Sequence, residues 1–201
     1  MDLTILATSQ LIEYFKQYFP LDEKERYELI RLFAEKQVKR RHYILQQGDV
    51  CQYYTFVVTG CFKMYHVDQK GVEHNLQFVA ESDWIADLSS FYSEKPSLMY
   101  IEAIEPSTIL QIKKADLLYL FINHHKFDRN FRIITEQKYM ELQNRVLENI
   151  SSTGEQRYQS FLARYPHLAS RLPNSQIASY LGITPEFLSK IRSSLVSKDK
   201  S

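Results

Sequence analysis

Residues 175–195, SQIASYLGITPEFLSKIRSSL, admit few folds. Ile177, Ala178 and Leu181 recur at helical spacing, and the small Ala178 lets a second helix cross closely. Asn174 or Ser175 can cap this first helix. Gly182 stops it, because a residue without a Cβ takes the left-handed turn easily. Ile183 supplies an apolar plug. Thr184 caps a second helix, with Pro185 at its first position, where no backbone donor is needed. Leu188 and Ile191 anchor that helix inward, while Glu186, Ser189, Lys190 and Arg192 lie on its outer side. A helix, a three-residue turn and a second helix form the helix-turn-helix pattern, whose second helix enters the major groove N-terminal end first. An ordinary helical hairpin does not require the small residue, the glycine turn, the plug and the Thr-Pro start together.

Charge follows the same division. Residues 151–201 hold Arg157, Arg164, Arg171, Lys190, Arg192, Lys198 and Lys200 against Glu155, Glu186 and Asp199. That leaves +4 on this segment and −3 on residues 1–150, although the whole chain carries only +1. A small basic module after a mildly acidic larger one points toward nucleic acid. Helices over Glu155–Leu172, Ser175–Leu181 and Thr184–Ser197 would make it a three-helix unit.

Ahead of it, the pattern changes twice. Leu11, Tyr14, Phe15, Tyr18 and Phe19 recur at helical spacing until Pro20; Asp22 and Glu25 then occupy capping-box positions, and helix runs to about residue 35. From Val38 the period shortens. His42–Leu45, Tyr54–Val58 and Phe62–His66 read as strands, and Asp68-Gln-Lys-Gly71 as a hairpin turn. Leu76, Phe78, Trp84, Ile85 and Leu88 continue the apolar supply, and two further short strands flank Glu105-Pro106. Many short strands with turns between them indicate an antiparallel sandwich or barrel. No glycine-rich nucleotide fingerprint follows a strand, which disfavours a doubly wound fold.

After a short helix at Asp116–Phe121, residues 126–150 contain neither Pro nor Gly and would span roughly 38 Å as one helix. Phe127, Phe131, Ile134, Lys138, Leu142 and Val146 fall on its stripe, apolar except for the lysine. This stripe is expected to join two copies as a homodimer. The division is therefore residues 1–125 as an α+β domain, 126–150 as a dimerisation helix and 151–201 as a DNA-binding domain.

Several classes are excluded or disfavoured. No stretch approaches the length of a membrane span, and MDLTILATSQ lacks the basic start of a secretory signal. Cys51 and Cys61 are too few for a disulfide scaffold or a four-cysteine metal site, and they read as core thiols in a reducing cytoplasm.

The arrangement resembles the Crp/Fnr family of bacterial transcription regulators over nearly the whole chain. YILQQGDVCQYYTFVVTGCFKMYHV (43–67) is similar to the family's first strands, and SQIASYLGITPEFLSKI to its DNA-reading motif. The resemblance implies an α+β fold: a jelly roll (double-stranded β-helix) of cyclic-nucleotide-binding type, a long dimerisation helix and a helix-turn-helix. It also implies double-stranded DNA with a pseudo-palindromic operator as partner, and RNA polymerase and a small-molecule effector as further candidates. Thr184 and Glu186 fit the usual start of the reading helix, while Pro185 replaces a basic residue and Lys190 stands where Arg is usual. Ser175 and Gln176 match the helix end that approaches phosphates. Thr184 would meet a phosphate, Glu186 a cytosine amino group, Ser189 either base edge, and Lys190 guanine or phosphate. Arg192 lies laterally and would hold the DNA backbone. The few residues after the reading helix leave almost no room for wing strands.

The resemblance places an effector pocket among Phe78, Trp84, Asp87, Leu88, Ser97 and Tyr100. ESDWIADLSSFYSEKPSLMYIEA (81–103) lacks both the Gly-Glu and the Arg that would hold a cyclic phosphate, and Asp83 and Asp87 would repel one. Cyclic AMP is not expected to bind, and no cofactor or metal is implied. The alternatives are a small-ligand receptor acting through protein contacts, the same DNA reader with its pocket filled by its own side chains, and a cupin-like enzyme. The last would have only His42, His66 and His74 as ligands without a His-x-His pair, so a non-enzyme is expected.

Overall fold

Pro20 separates two apolar periodicities, and two helices form around it: α1 (Leu3–Lys16) and α2 (Glu23–Leu32). The capping box of α2 forms as its spacing predicts. Asp22 accepts from the Glu25 amide at 2.9 Å, and Glu25 accepts from the Asp22 amide at 2.8 Å. The structure, a computed structural model, describes residues 3–198. Lys200, part of the basic balance, lies outside the described residues.

Eight strands follow: β1 (Ala34–Val38), β2 (Tyr43–Leu45), β3 (Tyr53–Thr59), β4 (Phe62–Val67), β5 (Glu73–Val79), β6 (Asp83–Ile85), β7 (Tyr100–Ala103) and β8 (Ser107–Lys113). They form two four-stranded antiparallel sheets, ordered β1-β8-β3-β6 and β2-β7-β4-β5. This is the expected jelly-roll arrangement in an α+β chain. Helix α3 (Leu88–Ser93) stands between β6 and β7, and α4 (Lys114–Asn123) follows β8. The Asp68–Gly71 turn closes as expected, with the Gly71 amide donating to the Asp68 carbonyl at 3.0 Å.

Two elements escape the sequence pattern. β1 lies where helix was expected to reach residue 35; its weakly apolar face is set by pairing along β8, with Glu35 opposite Leu110 and Gln37 opposite Thr108. α3 is too short to show a period and is held by Asp87, whose carboxylate accepts from the Ser89 and Ser90 amides.

The chain divides into two compact units, Met1–His66 with Gln77–Glu136 and Val67–Leu76 with Gln137–Ser201. The first has an aromatic core centred on Trp84. Tyr54 stacks on it at 5.1 Å, with Phe56 at 5.0 Å and Phe131 at 4.9 Å. Phe15 of α1 meets both Phe127 and Phe131 at 5.8 Å. Burial pushes the Tyr54 hydroxyl pKa well above its ordinary value.

The long helix α5 runs from His125 to Ser151. Its beginning corrects the expected dimer stripe. Phe127, Phe131 and Ile134 are buried in the β-domain core and cannot meet a second copy. Apolar exposure starts later, at Tyr139, Met140, Leu142, Val146, Leu147 and Ile150. Lys138 pairs with Glu141 at 3.4 Å.

In the second unit, α6 (Gly154–Arg164) ends well before the expected Leu172. Pro166 explains the stop, because the residue before a proline avoids helical backbone and Tyr165 sits at φ −129, ψ 60. α7 (Asn174–Leu181) and α8 (Pro185–Lys198) complete the unit.

Candidate nucleic-acid interface

The motif closes around an apolar centre. Ile177, Ala178 and Leu181 of α7, Leu188 and Ile191 of α8, and Tyr158 and Phe161 of α6 are all buried. Gly182 ends α7 at φ 65, and the Ile183 amide donates back to the Ala178 carbonyl at 3.0 Å. Thr184 Oγ1 accepts from the Phe187 amide at 3.2 Å, so it caps α8 while its own proton stays available. Pro185 is the first residue of α8.

One cap differs from expectation. The N-cap of α7 is Pro173, which has no side-chain acceptor, and Asn174 is already helical. Asn174 Oδ1 instead accepts from Arg192 at 2.5 Å. Arg192 also donates to Tyr158 Oη at 2.8 Å and the Ala169 carbonyl at 3.4 Å, and its guanidinium lies 5.4 Å from the Tyr158 ring. The side chain expected on the DNA backbone is thus engaged in tying α6, α7 and α8 together.

Helical geometry decides what remains outside. At about 100° per residue, Leu188 and Ile191 mark the inner side of α8. Glu186, Ser189, Lys190 and Ser193 fall opposite them, and all four are exposed. Ser189 and Ser193 donate to the carbonyls one turn back, Pro185 at 3.0 Å and Ser189 at 3.1 Å, which leaves their lone pairs for incoming donors. Phe187, absent from the sequence reading, is 47% exposed at the side of this face. Its ring lies over Gly154, where a Cβ would come within 2.7 Å of it. Its irregular partner, a glycine at a helix start, gives no periodic signal.

At the start of α7, Ser175 is exposed, but Gln176 Oε1 is buried without a partner. The Gln176 carbonyl accepts from Asn75 Nδ2 at 3.3 Å.

Much of the basic charge proves internal. Arg145, Arg157 and Arg164 line a cleft with Glu148, Asn149, Phe161 and Tyr180. Arg157 donates to the Asn149 carbonyl at 3.3 Å and Arg145 to the Tyr180 carbonyl at 3.3 Å, so each serves the C-terminal end of a helix. Arg164 meets Glu148 at 3.2 Å. Burial works against its charge, yet Tyr180 and Glu148 raise its pKa above the ordinary value.

The expected effector residues of the β-domain are engaged in the fold. Trp84 and Phe78 are buried, and Leu88 packs on the core. Ser97 Oγ donates to Asp87 Oδ2 at 2.6 Å. Tyr100 stacks on Tyr65 at 5.2 Å. Beside them lies an ion pair that the sequence did not reveal: buried Lys63 contacts Glu102 at 3.3 Å and the Tyr65 ring at 4.1 Å. Lys63 and Glu102 are register partners on β4 and β7, which only strand pairing reveals. A cyclic phosphate would find a carboxylate at Asp87 and no arginine on residues 80–104, so this segment does not fit it. Among the described residues, no group of three His, Cys, Asp or Glu side chains is placed to hold a metal, and no helix is long and apolar enough to cross a membrane.

Residues 35–124 match the cyclic nucleotide-binding domain family. Among solved structures the chain is similar to FixK2 of Bradyrhizobium japonicum, at 19% identity and TM-score 0.74, over 84% of this chain and 86% of that one. The c-di-GMP responsive global regulator CLP of Xanthomonas campestris is similar at 11% identity and TM-score 0.68, over 89% and 93%. The catabolite activator protein of Thermus thermophilus is similar at 18% identity and TM-score 0.55, over 90% and 87%. The comparison with curated protein sequences finds no match. The chain shares with these solved structures a fold of two antiparallel sheets, a long helix and C-terminal helices.

Proposed function

We propose that this chain is a sequence-specific DNA-binding transcriptional regulator of the Crp/Fnr type, acting as a homodimer and not responding to cyclic AMP or cyclic GMP. The observation that carries the reading is the outer face of α8. Glu186, Ser189 and Lys190 stand exposed on a helix capped by Thr184 and held from behind by Leu188 and Ile191. Glu186 accepts from a cytosine amino group, Ser189 from either base edge, and Lys190 donates to guanine or phosphate. Ser175 and the Thr184 hydroxyl approach phosphates, where the helix N-termini offer free amides. The same reading makes the chain a non-enzyme of the reducing cytoplasm, with RNA polymerase as a further partner.

Homodimerisation is assigned to the exposed part of α5, where Tyr139, Leu142 and Val146 replace the three aromatic and aliphatic residues lost to the core. Two-fold pairing matches operator half-sites one helical turn apart. Replacing Leu142 and Val146 together by Asp should convert a dimer to a monomer in light scattering at micromolar concentration; a wild-type monomer would reject the assignment.

Selection of bound duplexes from a random pool tests the main reading, and recovery of no enriched sequence would sink it. The match of residues 35–124 favours one second reading, a small-ligand receptor acting through protein contacts. Calorimetry with cyclic AMP and cyclic GMP separates the two, since a dissociation constant near or below about 10 μM, equivalent to roughly −7 kcal/mol, would overturn the stated lack of response.

A further inference from the structure

Three guanidinium groups, those of Arg145, Arg157 and Arg164, converge on one cleft of the second unit. Among the described residues that line it, Glu148 is the only carboxylate, so three cations less one anion leave +2. The cleft also takes in the C-terminal ends of two helices. Arg157 donates to the Asn149 carbonyl of α5, and Arg145 to the Tyr180 carbonyl of α7. Each helix end carries roughly half a negative charge, which leaves about one positive charge without a counterion.

The hydrogen bonds are unbalanced in the same direction. Arg145 spends its terminal nitrogens on the carbonyls of Leu76, Asn75 and Tyr180, yet its Nε is buried without an acceptor. Arg157 uses Nη1 on the Asn149 carbonyl. Its Nε is buried without an acceptor, and no acceptor among the described residues meets its Nη2. Nε and Nη2 are the donors of one guanidinium edge, the edge that takes two oxygens of one anion side by side. Nε is enclosed while Nη2 is not, so this edge opens toward the cleft at Nη2. A slight turn of the flexible side chain brings Nε to the second oxygen.

A buried charged donor without an acceptor is costly, and an ordered water or ion is the usual reason that one persists. Water would satisfy a donor and leave the charge. The cleft holds about 230 Å³ of empty space including its mouth, and only a small part of that lies deep, which suits one small ion and not an organic ligand. We propose that this cleft binds a single free oxyanion of the phosphate type, held by the open edge of Arg157 and by the charges of Arg145 and Arg164. The ion ties α5 to α6 and α7. The site shares no residue with the outer face of α8, so it stands or falls separately from the DNA-reading function.

Thermal unfolding of the full chain tests it, with inorganic phosphate exchanged against chloride at constant ionic strength. For a dissociation constant of about 1 mM, about 10 mM phosphate should raise the melting temperature by about 3–5 °C. Arg157→Lys keeps the charge but loses the fork, and should bind phosphate about tenfold more weakly in titration calorimetry. Glu148→Gln removes the opposing charge but keeps an acceptor for Arg164, and should bind it about threefold more tightly. Arg132→Ala, on an exposed arginine beside Glu136 in the first unit, should leave the shift unchanged.

No phosphate-specific shift in the wild type overturns the site. So does equal binding in Arg157→Lys, or an equal loss in Arg132→Ala, which marks general screening. Should Arg157→Lys fail to fold, Glu148→Gln decides alone, and unchanged or weaker binding there overturns the site. DNA also carries phosphate. If phosphate at constant ionic strength competes with a selected duplex in the wild type but not in Arg157→Lys, the cleft is a DNA-backbone contact and the free ion is overturned. Duplex binding that phosphate leaves unchanged supports the free ion.

Discussion

The β-domain core and the C-terminal helical unit are held by different forces. Around Trp84 the first unit packs aromatic rings from β3, β6, α1 and α5. The second unit has fewer large apolar side chains and relies on guanidinium groups: Arg192 across its three helices, and Arg145, Arg157 and Arg164 at helix ends or on Glu148. Among the described residues, Asn75, Arg145, Arg157 and Gln176 carry unpartnered buried polar atoms in the second unit, against Glu35 and Trp84 in the first. Apolar burial is non-directional and tolerates no easy second arrangement once the rings interlock. Directional polar ties can be exchanged for water or another partner at small net cost. The first unit is therefore the more rigid and the second the more adjustable.

The largest test is Trp84→Ala. Removing a fully packed indole should cost about 3–5 kcal/mol. Calorimetric unfolding should show the first unit losing its transition before the second. A loss under about 1 kcal/mol would mean that the core is not organised around Trp84.

Arg192→Ala probes the other mode. It removes a half-buried cation that donates to three acceptors and should cost about 2 kcal/mol of stability. DNA binding should then fall on matched and scrambled duplexes alike. Glu186→Ala should leave stability within about 0.5 kcal/mol, yet reduce discrimination between those duplexes by about 1–3 kcal/mol. If Glu186→Ala left the ratio of affinities unchanged, Glu186 would not be a base reader.

Salt dependence sharpens the same contrast. Lys190→Ala should lower the slope of log affinity against log salt by about 0.9 per subunit if Lys190 meets a phosphate. Arg157→Ala should leave the slope unchanged, because its charge serves the end of α5. A fall in slope for Arg157→Ala would return that residue to the DNA surface.

The helix-turn-helix was legible because local chemistry marks it: Gly182 permits the left-handed turn, Thr184 offers the cap and Pro185 fixes φ at the helix start, and the structure uses all three. Long-range pairing was less legible. The stripe on α5 appeared continuous, but Phe127, Phe131 and Ile134 belong to the core while Leu142 and Val146 stay exposed. Periodicity records which residues share a face and says nothing of what covers it. Formal charge had the same weakness, since Arg192 looks like a DNA contact until its partners on α6 and α7 are seen. Lys63 and Glu102 are 39 positions apart, and only the β4–β7 register unites them.

The smallest expected effect concerns the hairpin tip, which belongs to the adjustable unit but carries its own local tie. His74 Nε2 lies 3.0 Å from Asp68 Oδ2, and Asp68 Oδ1 accepts from the Lys70 and Val72 amides. The bond from His74, then those from the backbone amides, hold the Asp68 carboxyl below its ordinary pKa. A carboxyl lowered on folding stabilises fully above the ordinary value near 4, and the contribution disappears as pH falls through the lowered native value. The stability difference between wild type and Asp68→Asn should therefore be present at neutral pH and shrink only in the acid range. Because the pair is exposed, salt should reduce it too. Melting curves across the acid range provide the check. A difference that stayed constant well below pH 4 would assign the effect to the turn geometry rather than to the charge on Asp68.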